Sequence, residues 1–110
     1  MSSQGSPYAR FKRALRTGNL ALVRAAAGEL PAVRLDDALL IAYLIKEQDY
    51  EQFERAAVRW LGRFALELPS VRIEDLREAA VAFEALSANP DGARHALAAL
   101  CARHGLRVAL

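Results

Sequence analysis

The sequence has few of the residues that build covalent cross-links, membrane spans or β-sheets. A single cysteine, Cys101, excludes an internal disulfide and is typical of the reducing cytoplasm. The longest uncharged core-type run, 38–45, is too short to span a bilayer, and residues 1–7 lack the apolar stretch of a secretory signal. Valine and isoleucine are sparse beside alanine and leucine, which argues against a β-sandwich. These absences predict a cytoplasmic protein without a membrane segment.

Glycine-rich motifs and early acidic residues are also missing. The isolated glycines Gly28, Gly62 and Gly92 belong to neither a GxxxxGK[ST] nor a GxGxxG motif, so no phosphate-binding loop is expected. No acidic residue precedes Glu29, which leaves the first third of the chain strongly basic although the whole chain has a net charge of only +2. A basic segment of this kind attracts an acidic protein surface or a nucleic acid.

Helix-forming residues at helical spacing dominate the sequence. Breakers and capping residues predict helices over about 7–17, 19–30, 36–46 and 49–68, and two more that open at Glu74–Asp75 and at Asn89–Pro90. The third is apolar nearly all round and is predicted to be the most buried. The inward stripe of the fourth consists of Tyr50, Phe53, Ala57, Trp60, Leu61, Phe64 and Leu68. The inward residues of the fifth are Ile73, Leu76, Ala80 and Phe83.

An internal repeat supports this layout. Residues 29–37 read ELPAVRLDD and residues 67–75 read ELPSVRIED, with six of nine positions identical at a spacing of 38 residues. Each copy ends one helix, interrupts it with proline, and opens the next with two carboxylates at the positive end of the helix dipole. The chain therefore divides into three predicted hairpins, 7–30, 36–68 and 73–104.

A period of 38 residues resembles the helical hairpins of tetratricopeptide-like and HEAT-like repeats. Residues 18–24, GNLALVR, also look like the start of an ankyrin-type helix. The tetratricopeptide W-x2-L-G-x2-Y signature and the ankyrin TPLH motif are absent, so the resemblance carries over no functional residues. It implies a short α-solenoid-like array, a class that usually binds other macromolecules.

The predicted fold class is accordingly all-α, with about six helices in three stacked antiparallel hairpins. Residues 1–6 are predicted to be a disordered N terminus, 7–105 a single helical-hairpin domain, and 106–110 a C-terminal tail.

Residues that carry enzymatic chemistry are few and poorly placed. His95 and His104 share the last helix with Cys101, but nine residues separate the histidines, so they project on opposite faces and predict no metal site. No glycine-rich elbow accompanies Cys101, so no cysteine nucleophile is expected. The adjacent pairs Asp36–Asp37 and Glu74–Asp75 point about 100° apart and are interpreted as first-turn carboxylates beside the helix dipole. We expect no catalytic residue and no cofactor.

Arginine rows are the most informative polar feature. Arg55, Arg59 and Arg63 repeat at i, i+4 and i+8 opposite the apolar stripe, so all three are predicted to face solvent. Glu51 is expected to pair with Arg55, and Glu67 less favourably with Arg63. These arginines are candidate partner-binding residues. A second candidate set lies on the first helix and consists of Arg10, Lys12, Arg13 and Arg16.

The sequence predicts a non-catalytic protein-interaction module, an adaptor or accessory protein whose helical-repeat surface binds a protein with an acidic surface. One alternative is a nucleic-acid-associated protein that binds backbone phosphates through the basic helix faces, although no aromatic residue interleaves the arginines for base stacking. Another is a small enzyme or ligand-binding protein with a pocket between hairpins. Self-association stays open, because the ends of a helical array expose apolar surface.

Overall fold

The computed structural model describes residues 5–109, and this part of the chain is helical with no β-strand. The helices are α1 (Pro7–Thr17), α2 (Leu20–Ala27), α3 (Leu35–Gln48), α4 (Phe53–Glu67), α5 (Ile73–Ala85) and α6 (Pro90–Arg103). A 3-10 turn, Tyr50–Gln52, precedes α4. Helices pack in consecutive pairs, α1 with α2, α3 with α4 and α5 with α6. The predicted all-α fold of six helices in hairpins is confirmed.

Two predicted segments extend beyond the described residues. Most of the N terminus predicted to be disordered, residues 1–4 of 1–6, lies outside them, as does Leu110 of the predicted tail. Within the described range Ser6 caps α1, because its hydroxyl accepts the Ala9 N–H at 3.1 Å. Leu106 and Val108 of the tail pack, partly buried, against the main apolar cluster.

Local sequence signals set several helix ends. The side chains of Asn19 and Asn89 each accept a backbone N–H from the first turn of the helix that follows. Gly18 has a φ of 69°, a left-handed conformation that ends α1 at little cost because glycine has no Cβ. One predicted end is wrong: α2 stops at Ala27 rather than near Leu30, because the Glu29 and Leu30 N–H groups bond three residues back, to Ala26 and Ala27, and tighten the last turn.

Two side chains predicted to face inward lie in solvent. Tyr50 is 66% exposed, because Asp49 is not helical and the 3-10 turn that follows is out of phase with the apolar stripe of α4. Ile73 is 70% exposed, because it is the first residue of α5 and lies at the end of that helix rather than along its packed side. The fourth helix was predicted to begin at about residue 49, four residues before α4 does, whereas α5 begins at Ile73, one residue before its predicted start.

Helix α3 lies between two apolar clusters. On one side Leu39 and Tyr43 join a large cluster with α4, α5 and α6. On the other side Leu40, Ile41 and Leu44 pack against the first hairpin. The buried centre of this smaller cluster consists of Phe11, Leu15 and Val23. A helix that is apolar nearly all round is therefore enclosed from two sides, and the prediction that the third helix is the most buried is confirmed.

Trp60 anchors α4 in the large cluster. Its side chain is only 2% exposed, and its Nε1–H donates to the Leu35 carbonyl oxygen at 2.9 Å. The indole stacks on Phe64 at 4.8 Å between ring centroids and meets the edge of Phe83 at 5.7 Å. The inward position predicted for Trp60 is confirmed. Truncating a buried aromatic of this size typically costs about 3–5 kcal/mol.

A buried carboxylate joins the first hairpin to α3. Asp37 is 2% exposed; its Oδ1 accepts the Lys12 ammonium at 2.9 Å and its Oδ2 accepts the Tyr8 hydroxyl at 2.9 Å. Burial, followed by the hydrogen bond to Asp37, raises the pKa of Tyr8 above its ordinary value. The dipole interpretation of Asp36–Asp37 did not anticipate this burial or these partners. The charge is held by two donors from α1, and α1 is thereby fixed against the start of α3.

Replacing Lys12 with Met should lower the free energy of unfolding by about 3 kcal/mol, because Asp37 would keep a buried charge with one neutral donor. Urea denaturation followed by circular dichroism measures the change. Arg16→Met is the matched control, since Arg16 is exposed on the same helix, and it should change stability by less than about 0.5 kcal/mol. Equal midpoints for the Lys12→Met variant and the wild type would contradict the assigned role of the ion pair.

Candidate functional site

Of the three arginines of α4 that were predicted to face solvent in one row, two are exposed in the structure. Arg55 and Arg59 are exposed, and neither forms an ion pair with any residue in 5–109, so the expected Glu51–Arg55 pair is not formed there. Arg63 is half-buried: one Nη donates to the Val33 carbonyl oxygen at 2.8 Å, and Nε donates to Glu67 at 2.6 Å. The predicted pairing with Glu67 is therefore present.

The outward orientation predicted for Arg63 is wrong for a geometric reason. Successive i+4 steps drift by about 40° around a helix, so Arg63 lies about 80° from Arg55 and turns toward the chain that enters α3. There its guanidinium satisfies a backbone carbonyl instead of facing solvent. Arg63 thus supports the fold, while Arg55 and Arg59 stay available on the surface.

The basic set on α1 is partly neutralised by residues from later in the chain. Arg10 pairs with Glu29 at 2.8 Å, and Lys12 pairs with the buried Asp37. Arg13 and Arg16 are exposed side chains of the same helix. The four predicted candidates therefore do not form one unpaired basic patch, because two of them hold α1 to its neighbours.

A groove of about 670 Å³ runs between the start of α4 and the end of α5, and we call it the α4–α5 groove. Phe53, Leu61 and Phe83 contribute to its apolar lining, together with two strongly exposed side chains, Tyr50 at 66% and Val58 at 61%. The sequence did not reveal this groove, because its walls come from two helices whose relative placement no local pattern encodes. Val58, an exposed apolar residue of α4, was a local signal of it.

Acidic residues dominate the charged rim of the α4–α5 groove. Glu51, Glu54 and Glu84 line it and are all exposed. Lys46 is the one cationic residue among the described lining residues, and its ammonium stands 5.3 Å from the ring centroid of Tyr50 and 5.7 Å from that of Phe53. These distances are within the range of cation–π attraction, so the aromatic end of the groove already holds a cation.

A Ser–His–Asp cluster lies where the α4–α5 turn meets the end of α6. Ser70 Oγ is 2.7 Å from His104 Nδ1, and His104 Nε2 is 3.2 Å from Asp75 Oδ2. The sequence interpretation considered His104 only with His95 and Cys101 on the last helix and missed this cluster. The second repeat segment and the last helix approach each other only through the tertiary fold, and their spacing in the sequence gives no sign of it.

The surroundings of Ser70 indicate a structural role for this cluster. A serine nucleophile requires N–H donors that converge on the developing oxyanion. The Val71 N–H already donates to the Leu68 carbonyl oxygen at 3.1 Å, and the Arg72 N–H donates to Asp75 at 2.8 Å. Because both N–H groups that follow Ser70 are engaged, the cluster serves to tie the end of α6 to the turn between α4 and α5.

The remaining polar candidates are metal-ligand groups and the Cys101 thiol. Within residues 5–109, no three His, Cys, Asp or Glu side chains are grouped as metal ligands. Cys101 is fully buried, and burial raises the pKa of its thiol to about 11, so the reactive thiolate is scarce at neutral pH.

None of the helices described here combines the length and apolar character that crossing a bilayer demands.

Comparison with known proteins assigns no family: no family model matches the chain, and neither a curated protein nor a solved structure shows significant similarity to it. The class that the fold itself defines is an all-α protein of helical hairpins. The resemblance to tetratricopeptide-like, HEAT-like and ankyrin-type arrays stays a prediction.

Charge reversal at two arginines of α4 should distinguish an arginine that is only exposed from one that stabilises the fold. Arg59→Glu should leave the thermal midpoint nearly unchanged, because Arg59 is exposed and makes no ion pair within residues 5–109. Arg63→Glu should cost about 2–3 kcal/mol, because it deprives the Val33 carbonyl of its donor and places a carboxylate beside Glu67. Thermal melts of both variants measure this difference, and strong destabilisation by Arg59→Glu would contradict the orientation assigned to α4.

Stability at acidic pH should depend on Asp75. The Arg72 N–H, with His104 and Arg103 nearby, holds the pKa of Asp75 below its ordinary value of 3.8. A lowered folded-state pKa stabilises the fold above pH 3.8, and this contribution disappears as the pH falls through the lower folded-state value. Asp75→Asn should therefore melt below the wild type at pH 7 and approach it as the pH falls below 3.8. A constant difference in thermal midpoint from pH 7 to pH 2 would contradict this assignment.

Proposed function

We propose that this protein is a non-catalytic protein-interaction module, an adaptor or accessory protein. The binding surface is the α4–α5 groove together with the outer face of α4, which carries Arg55, Val58 and Arg59. The observation that carries the proposal is the exposure of Tyr50 and Val58 in one concave apolar surface. Single exposed apolar side chains are ordinary, whereas apolar and aromatic residues gathered in a groove are typical of sites that a partner covers.

The charged residues of the outer face support a protein partner. Arg55 and Arg59 lie one turn apart, and neither meets a carboxylate within residues 5–109. Like charges in a row cost a few tenths of a kcal/mol, and carboxylates from a partner would remove this cost. A partner with an acidic surface beside the groove therefore fits this face. The buried thiol of Cys101 is compatible with a cytoplasmic setting, which belongs to the same proposal.

The alternatives have weaker support. Binding to nucleic-acid phosphates requires several free cations, yet Arg10 and Lys12 are engaged with Glu29 and Asp37, and Arg63 with Glu67. Tyr8, whose ring centroid lies 6.0 Å from the Lys12 ammonium, donates its hydroxyl to Asp37. A catalytic function has weaker support, because the carboxylates, Lys46, the Tyr50 hydroxyl and Ser87 that line the groove form no hydrogen bond or ion pair with one another within residues 5–109.

The proposal is tested by capture of partners from an extract of the host cell with immobilised chain. Val58→Asp places a charge in the groove, and Val81→Asp is its matched control, because Val81 is 64% exposed on α5 and does not line the groove. We expect mass spectrometry to identify a protein retained by the wild type and by Val81→Asp and depleted at least tenfold with Val58→Asp. The extract is treated with nuclease, so retention that depends on nucleic acid is lost from all three chains.

Two outcomes would refute the proposed function. One is the same set of retained proteins with all three chains, which would mean that the groove contributes nothing to binding. The other is retention that nuclease abolishes, which would favour the phosphate-binding alternative. Circular dichroism of both aspartate variants shows whether they keep the helical fold, and both substitutions are at exposed positions where the fold should tolerate them.

A further inference from the structure

We infer that the α4–α5 groove holds an amphipathic α-helix of a partner protein, with lysine or arginine residues along the edges of its apolar face. This inference rests on the proposed function and specifies the chemistry of the part of the partner that enters the groove. Arg55 and Arg59 lie beyond Val58, outside the groove lining, so acidic residues that meet them would come from the rest of the partner.

The spacing of the lining residues fits a helix. From α4 and the turn before it the lining contains Tyr50, Phe53, Ala57 and Leu61, and from α5 and the turn after it the lining contains Ala80, Phe83 and Ser87. Both rows advance by three or four residues, as do the ridges that pack against a neighbouring helix. The longer row spans roughly 16 Å at 1.5 Å per residue, about three helical turns. An apolar row at i, i+3 or i+4, i+7 and i+11 on the incoming helix would match it.

The aromatic residues of the groove supply the apolar contact. The Tyr50 and Phe53 rings are stacked with centroids 6.3 Å apart, and Phe53 meets Phe83 edge to face at 6.2 Å. Phe83 belongs to the buried cluster, which makes this end of the groove an extension of the rigid core. Rigid aromatic side chains beside an apolar pocket are the usual centre of a binding interface.

Charge complementarity selects the flanks of the incoming helix. Glu51 and Glu54 lie on the α4 side of the groove and Glu84 on the α5 side, and none of them forms an ion pair with another residue in 5–109. Against three carboxylates stands Lys46, which the rings of Tyr50 and Phe53 already attract. A helix with acidic flanks would place like charges along both edges, whereas one with basic flanks would meet a carboxylate on each side.

Among the helices of residues 5–109, α1 has this pattern, but its apolar face is already in use. In α1, Phe11 and Leu15 are flanked by basic residues, yet they are 0% and 3% exposed in the smaller cluster. Releasing α1 would also leave the Asp37 carboxylate buried without Lys12. The occupant therefore comes from another protein rather than from α1 of a second copy.

Titration with three synthetic helical peptides tests the inference. The first has leucine at i, i+4, i+7 and i+11 with lysine flanks, the second has the same leucines with glutamate flanks, and the third keeps the lysines but replaces the leucines with serine. The full chain is labelled with ¹⁵N, and amide shifts give the site and the affinity. We expect saturable binding of the first peptide, with shifts centred on Val58, Leu61 and Ala80, and at least tenfold weaker binding of the other two.

Charge reversal at the rim supplies the decisive control. Glu54→Lys combined with Glu84→Lys changes exposed residues only and should reverse the preference, so that the glutamate-flanked peptide binds more tightly than the lysine-flanked one. Tighter binding of the glutamate-flanked peptide to the wild type, or no saturable binding of either leucine peptide, would overturn the inference. So would a dimer in sedimentation whose interface occupies the groove. Capture of a partner sensitive to Val58→Asp would still support the proposed function in each of these cases.

Discussion

The arrangement of the whole chain depends on one helix, α3, being apolar on nearly all sides. The large cluster packs on the face that carries Leu39 and Tyr43, and the first hairpin packs on the face that carries Leu40 and Leu44. Burying a side chain of this size stabilises a fold by about 1.5–3 kcal/mol, so α3 joins two clusters that would otherwise each lack a wall. The first hairpin contacts the remaining helices chiefly through α3 and depends on it for its own core.

Polar contacts then fix the positions that apolar packing leaves free. Apolar faces tolerate sliding and rotation, whereas a buried charge is satisfied in one geometry only. Asp37 holds Lys12 and Tyr8 at the start of α3, and the Trp60 indole N–H binds the carbonyl of Leu35 two residues away. The first turn of α3 is therefore where α1 and α4 are both set in place.

Sequence patterns predicted the features that depend on a single helix and missed the features that depend on contacts between two helices. The stripe that contains Trp60 required only the helical period, and the break after α1 required only Gly18. Arg63 was misplaced because the drift of about 40° per i+4 step turns it toward the Val33 carbonyl, and the position of that carbonyl depends on a second element. The contacts of Asp37 and the walls of the α4–α5 groove depend on pairs more than twenty residues apart, and a single sequence contains no local sign of them.

The α4–α5 groove follows from a mismatch between the apolar arc of α4 and the area that its neighbours cover. On the helical wheel the arc runs from Trp60 through Ala57 and Leu61 to Val58, about 160°, and Glu54 interrupts it between Leu61 and Val58. It is wider than the stripe of about 100° that a core-facing helix needs. Helices α3 and α5 cover the Trp60 side, and Val58 stays 61% exposed. Carboxylates along the rim keep this excess apolar surface hydrated in the isolated chain, and a partner that pairs with them can cover it without leaving a buried charge unmatched. The width of one apolar arc thus connects the packing of the core to the surface proposed for binding.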